Sequence, residues 1–140
     1  MGMTVIIDTN GITAPTANIT NTITANTMVD ATGNTIPAST LVQGSAKAWV
    51  KFTASASPTI NGSFNVSSIT YNGTGDFSIN FTTAMSNANY VAAISCGEAG
   101  SSSRTCSPYS FSTSSYRFWS YSGANVQLNM PLNSVIIFGT

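Results

Sequence analysis

Few residues in this chain are equipped for chemistry. Its 140 residues include no His, four Lys or Arg, and four Asp or Glu. Without His, neither a Ser–His nor a Cys–His nucleophile pair can form. Glycoside cleavage needs two carboxyl groups across a cleft, and the acidic residues are only Asp8, Asp30, Asp76 and Glu98. Asp8 and Asp30 fall in a Thr- and Asn-rich N-terminal stretch. Asp76 follows a Gly-rich turn, a common station for Asp. That leaves Glu98 in a loop with no obvious partner. Gly97-Glu98-Ala99-Gly100 lacks the Gly-Lys-Ser/Thr ending of a phosphate loop. Cys96 and Cys106, without His, do not build a usual zinc site. A disulfide across a loop and two reduced small residues both fit them. We therefore expect no enzymatic activity, no cofactor and no metal.

Binding chemistry is better represented. Residues 97–108, GEAGSSSRTCSP, form a loop of small residues, and residues 109–121, YSFSTSSYRFWSY, concentrate aromatics and Ser. Tyr and Trp give rigid contact area at low entropic cost, and Ser gives adaptable hydrogen bonds. Sugar rings stack on such aromatics, with their hydroxyls bonded to Asn, Ser and Arg. The expected ligand residues are Ser101, Ser102, Ser103, Arg104, Tyr116, Arg117, Trp119 and Tyr121. In a strand from Tyr116 to Tyr121, Tyr116, Phe118 and Ser120 face one way, and Arg117, Trp119 and Tyr121 the other. One set must be core. The Arg117/Trp119/Tyr121 face then meets a ligand or another subunit, and Trp49 is expected to be packing.

The elements that must hold these residues read as strands. Ala48, Val50 and Phe52 alternate with Lys47, Trp49 and Lys51. Ile69 and Tyr71, then Phe77, Ile79 and Phe81, flank Asn72-Gly73-Thr74-Gly75, a hairpin signal because Asn and Gly accept positive φ. Tyr90, Ala92, Ile94 and Cys96 give another face of period two. Tyr109 with Phe111, Tyr116–Tyr121, Val126–Met130 and Val135–Phe138 bring the total to about eight short strands, a spacing that suits a β-sandwich or jelly-roll-like head. Val135–Phe138 is apolar on both sides, so it should lie centrally or at a subunit interface. No segment carries a convincing helical stripe, and Ala38–Ser45 reads as a hinge after Pro37.

Ahead of that hinge, Ala17 to Val29 alternates with period two. Its thin apolar strip at Ile19, Ile23 and Val29 cannot be buried by a lone strand. Three copies winding together would hide it and satisfy the strand edges; a flexible polar arm is the other reading. Charged residues are 6% of the chain and net charge is zero. A basic footprint for nucleic acid is therefore missing, and so is electrostatic protection against association. No apolar run approaches the roughly 20 residues of a membrane helix, and the opening Met1-Gly2-Met3-Thr4 lacks signal-peptide character.

Lys47-Ala48-Trp49-Val50-Lys51-Phe52, Ser63 to Thr70, Asn72 to Asp76 and Phe81 to Met85, followed by Asn87-Ala88-Asn89-Tyr90, resemble the tip domain of bacteriophage tail-fibre and receptor-binding proteins. The resemblance covers roughly residues 41–96 and the hydrophobic finish. Thr4 to Gly11 looks like the start of short fibre proteins of this group, whereas residues 97–125 match no pattern of the family. The resemblance implies an all-β homotrimer. Residues 1–44 are expected as an extended, intertwined arm that trimerises or attaches to another virion tail protein. Residues 45–140 are expected as an antiparallel β-sandwich, jelly-roll-like head. Such an appendage is assembled in the host cytoplasm, acts on the virion, and contacts a host surface glycan or an outer-membrane protein without inserting into the membrane. A bacterial adhesin or pilin-like domain, with Lys47 or Lys51 in a Lys–Asn cross-link, and a decoration or collar fibre without receptor contact are the competing readings.

Overall fold

The computed structural model describes residues 27–29, 32–98, 100 and 104–139. Ile19, Ile23, Ser101, Ser102 and Ser103, and with them most of the expected arm, lie outside the described residues. The protein is an antiparallel all-β structure. Two short strands, β1 (Thr27–Val29) and β2 (Thr35–Pro37), pair with each other, and a helix, α1 (Ala38–Gly44), follows. Eight strands come next: β3 (Ala46–Thr53), β4 (Thr59–Phe64), β5 (Val66–Gly73), β6 (Asp76–Phe81), β7 (Val91–Gly97), β8 (Arg104–Phe111), β9 (Ser115–Ser122) and β10 (Leu132–Phe138). They make two four-stranded sheets, ordered β4-β3-β10-β7 and β5-β6-β9-β8. No helix among the described residues is long and apolar enough to cross a membrane.

The two sheets share one core because each strand alternates. Ala48, Val50 and Phe52 of β3 and Val135 and Ile137 of β10 point inward from the first sheet. Phe77, Ile79 and Phe81 of β6 and Tyr116 and Phe118 of β9 point inward from the second. Phe52 meets Phe77 edge-on across the gap, with ring centroids 5.6 Å apart; such pairs add about 0.5–1.5 kcal/mol beyond burial alone. The apolar run at Val135–Phe138 lies centrally, between β3 and β7.

Both margins of the stack are tied. At one, the chain passes from β4 to β5 through Asn65, whose φ of 55° turns it from one sheet into the other. Its side chain donates to Lys47 O (3.0 Å) and Thr83 O (3.1 Å) and accepts from Thr83 N (2.7 Å). At the other, Cys96 of β7 and Cys106 of β8 form a disulfide with Cα atoms 6.2 Å apart. The disulfide therefore joins the first sheet to the second across the loop between β7 and β8.

The expected β5–β6 hairpin forms at Asn72–Gly75. Gly75 has φ +70°, and a Cβ there would come within 2.6 Å of Ser120 O and 2.7 Å of Leu128 N. No other residue fits that contact. Three local expectations change. The hinge at 38–45 is a short helix after Pro37, closed by Ser45 N–H donating to Leu41 O at 3.0 Å. Thr59–Phe64, which is not among the expected strands, is an edge strand. Val126–Met130 is no strand; it runs across the hairpin turn, where Asn129 Oδ1 accepts from Gly75 N at 2.7 Å, and it plugs the core end with Met130.

Candidate functional site

The outward side of the second sheet gathers the chemistry. Register places Ser78 of β6 opposite Arg117 of β9, and Asp76 opposite Trp119. Because Phe77, Phe118 and Tyr116 take the core side, Asp76, Ser78, Asn80, Arg117, Trp119 and Tyr121 take the other. On β8 the pairing slips between Pro108 and Ser110. That irregularity brings Tyr109 over the same face, against Trp119, with the rings tilted by 31° and their centroids 4.3 Å apart.

Arg117 is fixed from two sides. Its Nε and Nη2 donate to Asp76 Oδ1 (2.8 Å) and Oδ2 (2.6 Å), a bidentate pair 41 positions apart in sequence. Its guanidinium carbon lies 4.6 Å from the Tyr109 ring centroid, a cation–π contact. The Arg117 hydrogen bonds hold the Asp76 carboxyl below the usual carboxylate range and outweigh the opposing effect of its burial. Reciprocally, Asp76 raises the Arg117 guanidinium. Trp119 also favours the charged carboxylate, yet its buried Nε1 meets no hydrogen-bond geometry. Arg117 Nη1 makes no hydrogen bond among the described residues, and the side chain is one-third exposed.

Around this centre the neutral groups are held in place. Asn72 Nδ2 donates to Ser78 Oγ (2.8 Å) and Asp76 Oδ1 (3.3 Å). Asn80 Nδ2 donates to Thr70 Oγ1 (2.8 Å) and Ser68 Oγ (3.0 Å). Tyr109, 50% exposed, is the aromatic ring most open to solvent on this face. The arrangement is a shallow surface with one exposed ring, one oriented guanidinium and rows of hydroxyl and amide groups. It suits a flat ligand that stacks and hydrogen-bonds. Among the described residues no three of His, Cys, Asp and Glu gather to hold a metal. Their two carboxylates are both ion-paired, Asp76 with Arg117 and Glu98 with Arg104.

The site residues expected from sequence divide accordingly. Arg117, Trp119 and Tyr121 share this face. Tyr116 does not: it is fully buried and stacked on Phe118, as the period of the strand requires, so no solvent-borne ligand reaches it. Arg104 is elsewhere too. It lies opposite Ser122 on the Cys106 side of β8, and its Nη2 donates to Glu98 Oε2 at 2.6 Å, which gives Glu98 the partner that sequence did not suggest. Val29 is exposed in the β1–β2 ribbon opposite Thr35. Trp49, expected as packing, faces outward from the first sheet. Tyr109, Asp76, Asn72 and Asn80 were missed. The aromatic richness of 109–121 pointed near Tyr109, but a strand slip leaves no mark in composition.

No family model, curated protein or solved structure matches this chain.

Proposed function

We propose that this chain is the receptor-binding tip of a bacteriophage tail fibre, whose second-sheet face holds a glycan of the bacterial surface. In this reading residues 1–44 are the trimerising or virion-attaching arm, residues 45–140 a jelly-roll-like head, and the active particle a homotrimer on the virion. The observation that carries the ligand assignment is the Tyr109–Trp119 ring contact with Arg117 held over Tyr109. A sugar presents an apolar ring face and a rim of hydroxyls, and this surface offers an exposed ring beside pre-oriented donors and acceptors. Fixing those groups beforehand lowers the entropy lost on binding. The resemblance of residues 41–96 to fibre tips supports the virion setting.

The test is adsorption of the labelled chain to a panel of bacterial cells. Periodate, which cleaves sugar diols, should abolish binding to cells that adsorb the chain. Protease treatment of those cells should spare it, and purified surface polysaccharide should compete. Binding that survives periodate and is lost to protease would move the receptor to an outer-membrane protein.

A further inference from the structure

Charge on the outward side of the second sheet is confined to one pair. Alternation and register put Ser68, Thr70, Ser78, Asn80, Ser107 and Ser110 on this side, all of them neutral. Among the described residues the formal charges of this face are Asp76 and Arg117, joined to each other by two hydrogen bonds. The other described charges lie elsewhere. Lys47 and Lys51 alternate with buried Ala48, Val50 and Phe52, so they stand on the outward side of the first sheet. Arg104 and Glu98 pair with each other where β7 ends and β8 begins. The amide groups point the same way. Asn72 Nδ2 is occupied by Ser78 and Asp76, and Asn80 Nδ2 by Thr70 and Ser68. What each amide has left for a ligand is its carbonyl oxygen, which only accepts.

We propose that this face selects an uncharged stretch of glycan, and that Asp76 sets the selection as the built-in counter-ion of Arg117. This rests on the glycan reading and deepens it by naming the class of sugar. A carboxylate or phosphate binds a guanidinium best through a two-donor edge. Asp76 already holds the edge formed by Arg117 Nε and Nη2. An anion reaching the rest of the guanidinium would share that small group with the Asp76 carboxylate, and like charges in one site disfavour each other. A hydroxyl meets no such repulsion. It also both donates and accepts, so it satisfies an Arg117 N–H and the Asn72 and Asn80 oxygens alike. An anionic oxygen accepts only and would leave those oxygens unmatched. The half-exposed Tyr109 ring beside the pair offers apolar contact, which a neutral sugar face takes up without stripping water from a charge.

The experiment is adsorption of the full chain to cells that bind it, at salt from about 50 to about 500 mM. The competitors are surface polysaccharide from those cells, separated by anion exchange into neutral and acidic fractions. The neutral fraction should compete and the acidic fraction should not. Adsorption should change by less than about twofold over the salt range, because the face has no net charge to screen. Asp76→Asn keeps the size of the side chain and removes the counter-ion. With Arg117 unbalanced, the acidic fraction should now compete, at least about threefold better at low salt than at high. Competition by the acidic fraction in the parent, or a larger fall of parental adsorption with salt, overturns the proposal. So does a folded Asp76→Asn that still ignores the acidic fraction. Should that variant fail to fold, the parent's fraction preference and salt response decide. A chain that adsorbs to no cell, or whose adsorption withstands periodate, overturns the glycan reading and this inference with it. Periodate-sensitive adsorption with acidic competition overturns this inference alone.

Discussion

Two rows of four residues describe the difference between the sheets. Across the outer side of the first run Phe64, Trp49, Ile136 and Ala93; across that of the second run Thr70, Ser78, Arg117 and Ser110. Both rows rest on the same aromatic core and obey the same alternation. Secondary structure alone therefore cannot say which surface does what. What separates them is satisfaction. Many polar side chains of the second face are bonded to one another in fixed positions, whereas Phe64 and Trp49 of the first are largely exposed. A pre-organised polar surface suits a hydrated ligand.

The comparison holds only while the shared core does, and that sets the largest expected effect. Phe77→Ala or Phe118→Ala should cost about 3–5 kcal/mol, read by urea unfolding, and should damage both faces together. Next comes the margin that joins them. Reduction, or replacement of Cys96 and Cys106 by Ser, should cost roughly 2–3 kcal/mol for a loop of this length. Melting with and without reductant checks it.

Arg117→Ala sharpens the contrast from one side. It leaves Asp76 partly buried without its bidentate partner, so a loss of about 1–3 kcal/mol is expected, together with weaker adsorption and unchanged oligomeric mass. The same pair predicts a pH response. The carboxyl of Asp76 is depressed in the fold, so its contribution is present above the ordinary carboxylate range and disappears as pH falls through the lowered value, below about pH 4. Tyr90 and Tyr116 are raised by burial. Their contribution is complete below about pH 10 and is lost as pH rises through the folded values. Melting temperature against pH should show these acid and alkaline limbs. Near the rim of the polar face, Thr70→Ala should change stability by under about 0.5 kcal/mol.

The sequence made the strands easier to read than the faces. Period two located β3, β6, β7 and β9, and NGTG located the hairpin, because both signals are local. β4 was missed although it pairs with its chain neighbour β3, because Asn61 and Gly62 interrupt the alternation of apolar and polar residues. Val126–Met130 has strand-like residues, yet its backbone serves Gly75 and Ser120. That Arg117, Trp119 and Tyr121 share one outward face was legible from the alternation of β9. Tyr109 and the Asp76 partner were not, because they depend on a register slip and on a contact 41 positions away. Trp49 teaches the reverse. Alternation already set it with Lys47 and Lys51, and its size alone argued for packing.

The most direct test of the account is adsorption to receptor-bearing cells by Tyr109→Ala, with mass and melting measured on the same sample. The account predicts binding at least about tenfold weaker, the scale of a lost interface anchor, from a protein with parental mass and melting. Parental adsorption by that folded variant would contradict the assignment of the ligand to the second sheet.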